Sequence, residues 1–148
     1  MTMPIIIRPV QPDDKPQWRA LWTAYLEFYE TGVADEVYET TFDRLLNPDR
    51  PDQNGLLAFD GDRAVGLVHY IYHPHNWRIE DVCYLQDLYA DPAVRGKGVG
   101  RALIEAVYAE ADANGTPSVY WLTQDFNAQA RKLYDRIASL TPFIKYQR

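Results

Sequence analysis

From Leu88 to Arg101 the chain reads Leu-Tyr-Ala-Asp-Pro-Ala-Val-Arg-Gly-Lys-Gly-Val-Gly-Arg, an order that few folds accommodate. An apolar strand pattern runs into an Asp91-Pro92 turn, then into a loop with glycine at 96, 98 and 100. An amphipathic helix follows over residues 99–114,. Glycines let backbone N–H groups close on a ligand and take up positive φ where the turn demands it. The first turn of the following helix adds unpaired N–H donors and the positive end of its dipole. Arg95, Lys97 and Arg101 set three cations around those donors, in a chain whose net charge is −6. A diphosphate is the ligand that suits this arrangement best.

Two well-known glycine motifs do not fit. No G-x-x-x-x-G-K-[ST] run exists, and Arg101 stands where a dinucleotide fingerprint needs its third glycine,. The pattern [Q/R]-x-x-G-x-[G/A] is met by Arg95-Gly96-Lys97-Gly98-Val99-Gly100. Taken alone, that hexapeptide also reads as a flexible strand-to-helix turn. The strand before it and the helix after it are the setting that phosphate binding requires.

At 148 residues the chain can bury a core in one domain without covalent staples,. Its lone cysteine, Cys83, excludes an internal disulfide and fits a reducing compartment,. Residues 1–8 lack the charged start and apolar run of a secretion signal, and no apolar stretch reaches the roughly 18 residues of a membrane span,. A cytoplasmic location without a membrane partner is therefore expected. A pI near 5.0 speaks against nucleic acid as a partner and leaves amines, polyamines and basic peptides open,.

Residues 5–10 read as a first strand. Over residues 16–30, Trp18, Trp22, Tyr25 and Tyr29 share one face of a helix, and a second helix over residues 35–46 stops at Asn47-Pro48,. Residues 55–59 and 64–72 read as strands joined by a tight turn, residues 73–76 as a loop, and residues 82–90 as a strand entering the glycine loop,. Asn114-Gly115 ends the next helix,. A strand over residues 118–123, a helix over 127–137 and a last strand over 143–146 complete the order. Antiparallel hairpins mixed with one crossover predict an α+β fold with a mixed sheet, not a doubly wound one.

With the loop in this setting, the sequence resembles the GNAT superfamily of acetyl-CoA-dependent N-acetyltransferases. Ser118-Val119-Tyr120-Trp121-Leu122-Thr123 is similar to that family's fifth strand, and Asn127-Ala128-Gln129-Ala130-Arg131-Lys132-Leu133-Tyr134 to the helix along the pantetheine arm. With Pro142-Phe143-Ile144-Lys145-Tyr146, these runs most resemble the Hpa-type histone and polyamine acetyltransferases. The resemblance implies a single GNAT-like domain over residues 1–148, with a central twisted, mostly antiparallel sheet flanked by about four helices. It implies acetyl-CoA as co-substrate and no metal. The backbone of Leu88, Tyr89 and Ala90 would pair with the pantetheine amides like an added strand. Arg95, Gly96, Lys97, Gly98, Val99, Gly100 and Arg101 would hold the pyrophosphate, and Asn127 and Ala130 would approach the pantetheine arm. The chain departs from the family at Ser139-Leu140, where Gly-Phe is frequent, and few residues follow Ile137. The last hairpin is therefore expected to be shortened or completed by another subunit, which makes a homodimer the expected assembly.

Acyl transfer from a thioester to an amine needs a neutral amine, donors for the tetrahedral oxyanion and a proton for the departing thiolate. An amine of pKa about 10.4 is neutral in only roughly four molecules in ten thousand at pH 7. Tyr134 is the candidate proton donor. Seven residues past Asn127, it projects from the same helix face,, and in the family a tyrosine at this place lies beside the sulfur. The alternative is a core tyrosine with a satisfied hydroxyl. Asp87 is the only carboxylate inside the central strand, on the face opposite Leu88,. It can take the amine's proton directly or through water, pair with an arginine, or bind a cationic substrate. Glu80 and Asp81 read as solvated. His69, His73 and His75 have no Cys or carboxylate at ligand spacing, so a loop or substrate-gate role is expected and a metal is not,. Cys83 reads as a small buried residue.

Residues 27–62 carry a run of carboxylates, Asp35, Glu39, Asp52 and Asp60 among them, against only Arg44 and Arg50. Acidic and aromatic surfaces together recognise ammonium groups, although solvated acids and core aromatics give the same pattern. Tyr25 and Tyr29 are the candidate acceptor-binding residues. The expected acceptor is a cationic primary amine on a small molecule, polyamine or basic protein tail, attacking acetyl-CoA directly in a ternary complex. The competing function is an acyl-CoA-binding sensor or interaction module without turnover. An intact Tyr134 and a complete glycine loop favour the enzyme.

Overall fold

Strand alternation decides which layer each side chain joins. The computed structural model describes residues 4–148; residues 1–3, the start of the stretch read above for a secretion signal, lie outside them. Five strands form one sheet in the order β1 (Ile5–Pro9), β2 (Gln53–Asp60), β3 (Arg63–His73), β4 (Val82–Ala90) and β5 (Val119–Tyr120). The first four run antiparallel to their neighbours, and β5 runs parallel to β4. In β2, Leu56 and Ala58 face one layer while Leu57 and Phe59 face the other, the two-residue period of a pleated strand.

Helix α3 (Val99–Ala113) covers the first face with Val99, Leu103, Ile104, Val107 and Ala111. Helices α1 (Lys15–Phe28) and α2 (Asp35–Leu46) cover the second, where Trp18, Trp22, Tyr38 and Phe42 meet Leu57, Phe59 and Leu67. This is the expected α+β architecture, and α4 (Ala128–Ile137) is its fourth helix. No helix among the described residues is long and apolar enough to cross a membrane.

A bulge in β4 is what positions the site. His69 of β3 opposes Asp87, but Tyr70 opposes Leu85, so Gln86 is left without an opposite number,. Before the bulge, Cys83 and Leu85 point into the α3 layer; after it, Leu88 and Ala90 do. Asp87 and Tyr89 are thereby turned to the α1 and α2 side. Beyond Tyr84, β4 has a strand partner only on its β3 side, because β5 pairs through just Cys83↔Val119 and Tyr84↔Tyr120.

Two expectations need correction. The strand expected over residues 118–123 is confined to Val119–Tyr120. No strand forms over residues 143–146, where Phe143, Ile144 and Tyr146 are exposed, as is Leu140. A strand needs a neighbour's backbone groups, and the two-residue β5 offers too short an edge.

Gly66 permits the close approach of α3 to β3. A Cβ built there would sit 2.8 Å from Val99 Cγ1 and 2.9 Å from Leu103 Cδ1, both on buried side chains. Gly66→Ala is expected to destabilise the fold by about 1–3 kcal/mol. Urea unfolding checks this: the midpoint should fall with the slope unchanged.

Candidate functional site

The glycine loop begins where Asp91 Oδ1 accepts from the Ala93 N–H at 2.9 Å and Arg63 holds the other carboxylate oxygen at 2.6 Å. Gly96 and Gly98 then take φ of +82° and +73°, the left-handed region in which a side chain is strained,. The backbone N–H groups of Gly96, Gly98, Val99, Gly100 and Arg101 have no acceptor among the described residues. Five donors without acceptors thus lie within six residues at the start of α3. Lys97 lies 3.9 Å from Asp60 and Arg101 is paired with Glu105 at 2.6 Å, while Arg95 is exposed with no carboxylate partner among the described residues.

Leu88, Tyr89 and Ala90 lie half-buried on the stretch of β4 that lacks an outer partner strand. Helix α4 flanks the same region. Its N-cap Asn127 accepts from the Ala130 N–H at 3.4 Å, so these two residues sit together at the helix start,. Leu133, Tyr134 and Ile137 pack on the core, yet no residue of α4 is fully buried. The Tyr134 ring meets Trp121 edge-on at 5.4 Å. Burial pushes its phenol up, and the neighbouring Tyr29 adds to this, so the hydroxyl holds its proton at neutral pH,.

The described residues contain two buried carboxylates, in very different settings. Asp14 receives two hydrogen bonds from Arg8, at 2.7 and 2.9 Å, which hold its carboxyl below the usual range. Among the described residues, Asp87 has no Lys or Arg partner. His69 Nδ1 lies 2.8 Å from Asp87 Oδ2, and the Trp18 indole N–H donates to His69 Nε2 at 2.9 Å. Tyr25, Tyr29 and Tyr84 surround the same carboxylate. Burial and then the Asp87 charge raise the phenol of Tyr25 far above its ordinary value, and those of Tyr29 and Tyr84 by the same causes. Tyr29 thus lies close enough to both Asp87 and Tyr134 to share electrostatic interactions with each.

Asp87 also forms one wall of a cavity of about 200 Å³ between α2 and the sheet. Trp22, Val33, Val37, Leu45 and Ile71 supply apolar walls; Thr41, Gln53, Asn54 and Gln86 supply neutral polar ones. None of the acidic residues between 27 and 62 lines it. Several of those acids are answered by cations from elsewhere in the chain: Arg19 with Asp35 at 2.7 Å, Lys15 with Glu39, and Lys97 with Asp60. The acidic run is therefore partly a set of surface ion pairs rather than a cation-binding wall.

A family model, the acetyltransferase (GNAT) family, matches residues 18–138. The chain belongs to the GNAT family. It is 43% identical over 147 residues to the D-amino-acid N-acetyltransferase HPA3 of Saccharomyces cerevisiae, covering 97% of this chain and 90% of that protein. It is 29% identical over 84 residues to the thialysine N-epsilon-acetyltransferase of Caenorhabditis elegans, a match covering 57% of this chain and 52% of that one. Among solved structures, the aminoglycoside N-acetyltransferase AAC(6')-Iy in complex with CoA superimposes with a TM-score of 0.86 at 19% identity, over 100% of this chain and 96% of that one. These relatives make the protein an N-acetyltransferase of Hpa type.

For this GNAT chain, the residues selected from sequence fall in two places. Leu88, Ala90 and Tyr134 pack on the α3 layer next to the loop, with Asn127 and Ala130 together at the start of α4; Tyr25 and Tyr29, at the C-terminal end of α1, lie near Asp87 on the other face. Tyr25 and Tyr29 flank Asp87 but do not line the cavity, whose aromatic walls are Trp22 and Tyr70. The histidines divide differently from expectation. His69 is buried within β3, the strand expected over residues 64–72, and so takes neither a loop nor a gate position, whereas His73 bonds the Tyr120 hydroxyl at 2.8 Å in an exposed position. One signal for His69 was present in the sequence: it is the polar residue in the apolar run Val65-Gly66-Leu67-Val68-His69-Tyr70-Ile71. No cluster of potential metal ligands occurs among the described residues. Burial pushes the Cys83 thiol up to about 12. Thiol titration at pH 8 should find Cys83 unreactive in the native protein and reactive in urea.

Proposed function

We propose that this N-acetyltransferase, acting as one domain in a reducing cytoplasm, moves acetyl from acetyl-CoA to a primary amine in a ternary complex. The observation that carries this reading is the set of five unpartnered amides at the start of α3, beside an open length of β4. The amides of Gly96, Gly98, Val99, Gly100 and Arg101 suit a pyrophosphate, with Arg95, Lys97 and Arg101 adding positive charge at the rim. The backbone of Leu88, Tyr89 and Ala90 offers the pantetheine arm strand-like hydrogen bonds, and Asn127 and Ala130 close on it from α4. AAC(6')-Iy, with the same fold, was solved with CoA and with a CoA-linked bisubstrate analogue.

A buried carboxylate without a cation supports the acceptor assignment. A charge at Asp87 taken out of water needs a partner, and an acceptor ammonium supplies it. Asp87 takes the ammonium proton, directly or through water, which frees the nitrogen lone pair. The nitrogen attacks the thioester carbonyl carbon, the C–N bond forms, and a backbone N–H on the open β4 edge faces the resulting oxyanion. As the C–S bond breaks, Tyr134 gives its proton to sulfur and regains one from the nitrogen. The products are an amide, the CoA thiol and one proton left on Asp87.

Asp87 alone gives the cavity formal charge, so the cavity suits a single ammonium flanked by an uncharged group better than a polyamine. Of the acceptors in the relatives' names, a D-amino acid carries one ammonium beside a carboxylate and thialysine carries a second amine, so both are set against a polyamine in the test. Thiol release with D-alanine, thialysine and spermidine tests the reading. Tyr134→Phe should lower kcat by about a hundredfold or more while acetyl-CoA affinity stays within about twofold. Binding of acetyl-CoA without release to any amine would instead mark a sensor.

The exposed apolar residues Leu140, Phe143, Ile144 and Tyr146 support a homodimer in which this tail packs against a second copy,. Removing residues 140–148 should convert the dimer to a monomer by light scattering; an unchanged mass would refute it.

A further inference from the structure

Hydrogen-bond chemistry fixes the protonation of the chain that ends at Asp87. An indole N–H can only donate, so His69 Nε2, 2.9 Å from Trp18 Nε1, must be an unprotonated acceptor,. The ring proton therefore sits on Nδ1 and donates to Asp87 Oδ2, 2.8 Å away,. All three groups are buried, with Trp18 fully enclosed. Trp18 is itself held by Trp22 and Phe42, with ring centroids at 5.3 and 5.0 Å, so its N–H direction is set by the core of the α1 and α2 layer.

We propose that Trp18 and His69 form a positioning chain that presents Asp87 to the acceptor amine as a fixed, singly charged carboxylate. Trp18 sets the His69 tautomer, and His69 ties down Oδ2. Oδ1 has no hydrogen-bond partner among the described residues and is left to the group entering the cavity. A neutral His69 also leaves the Asp87 charge uncancelled. The other titratable groups facing this carboxylate are Tyr25 and Tyr29 from α1 and Tyr84 from β4, all phenols that hold their protons. The site thus keeps one negative charge for one ammonium. His69 and Trp18 touch no reacting atom and act through Asp87.

This rests on the reading of Asp87 as the acceptor's carboxylate, and the test separates the two. Kinetics use whichever of D-alanine, thialysine and spermidine turns over fastest. His69→Leu should raise the acceptor KM about tenfold or more, leaving the acetyl-CoA KM within about twofold. His69→Asn, whose amide can donate from the Nδ1 side, should recover most of that loss. An acceptor KM unmoved in His69→Leu, against a raised one in Asp87→Asn, overturns the positioning chain alone. An acceptor KM unmoved in Asp87→Asn overturns the acceptor reading beneath it. Long-range proton–nitrogen correlation spectra of the wild-type protein decide independently of whether His69→Leu folds. They should show the His69 proton on Nδ1, and a proton on Nε2 overturns the proposal.

Discussion

Opposite His69 and Tyr70 of β3, strand β4 carries one residue more than its neighbour, and the chemistry of both sheet faces follows from that extra residue. Without the bulge at Gln86, strict alternation would keep Asp87 on the same side as Leu85, inside the apolar α3 layer, where a carboxylate has no partner. With it, Asp87 reaches His69 and the α1 aromatics, while Leu88 and Ala90 take over the α3 side. The same strand then runs without an outer neighbour, because β5 stops after two pairs. One local irregularity thus places a carboxylate on one face of a strand whose free edge begins beside it.

Charge is handled in opposite ways at the two ends of the site. At the loop, neutral amides are left without acceptors and the cations are exposed, two of them already engaged with Asp60 and Glu105. Amide donors cost little to leave in water and gain most when an anion excludes it, which fits a ligand that comes and goes. At Asp87 the charge is buried and its hydrogen bond comes from a neutral ring. Asp14 shows what a purely structural carboxylate looks like in this fold: buried, and gripped twice by Arg8. The absence of a cation beside Asp87 among the described residues is what supports the proposed acceptor role.

Much of this was legible in the sequence. The Asp91-Pro92 turn, the glycines and the amphipathic run of α3 are local signals, and they give the loop and the family at once. The helix faces of Trp18, Trp22, Tyr25 and Tyr29 are periodic and equally local. What escaped was non-local. Bulges arise between strands, so the side on which Asp87 falls, and with it the link to His69, depends on a register that one strand does not carry. The acids between 27 and 62 read as a cationic pocket because their partners, Lys15, Arg19 and Lys97, lie outside that segment. The strand over residues 143–146 has the right residues but no edge to join.

The account depends most on the loop amides and the open β4 edge receiving one ligand together. A crystal structure of the protein with CoA tests this directly. The pyrophosphate should lie about 3 Å from the N–H groups of Gly96, Gly98, Val99, Gly100 and Arg101, with the pantetheine amides paired to the backbone of Leu88–Ala90 and the sulfur beside Tyr134. A pyrophosphate bound away from these amides, or a sulfur remote from Tyr134, would contradict it.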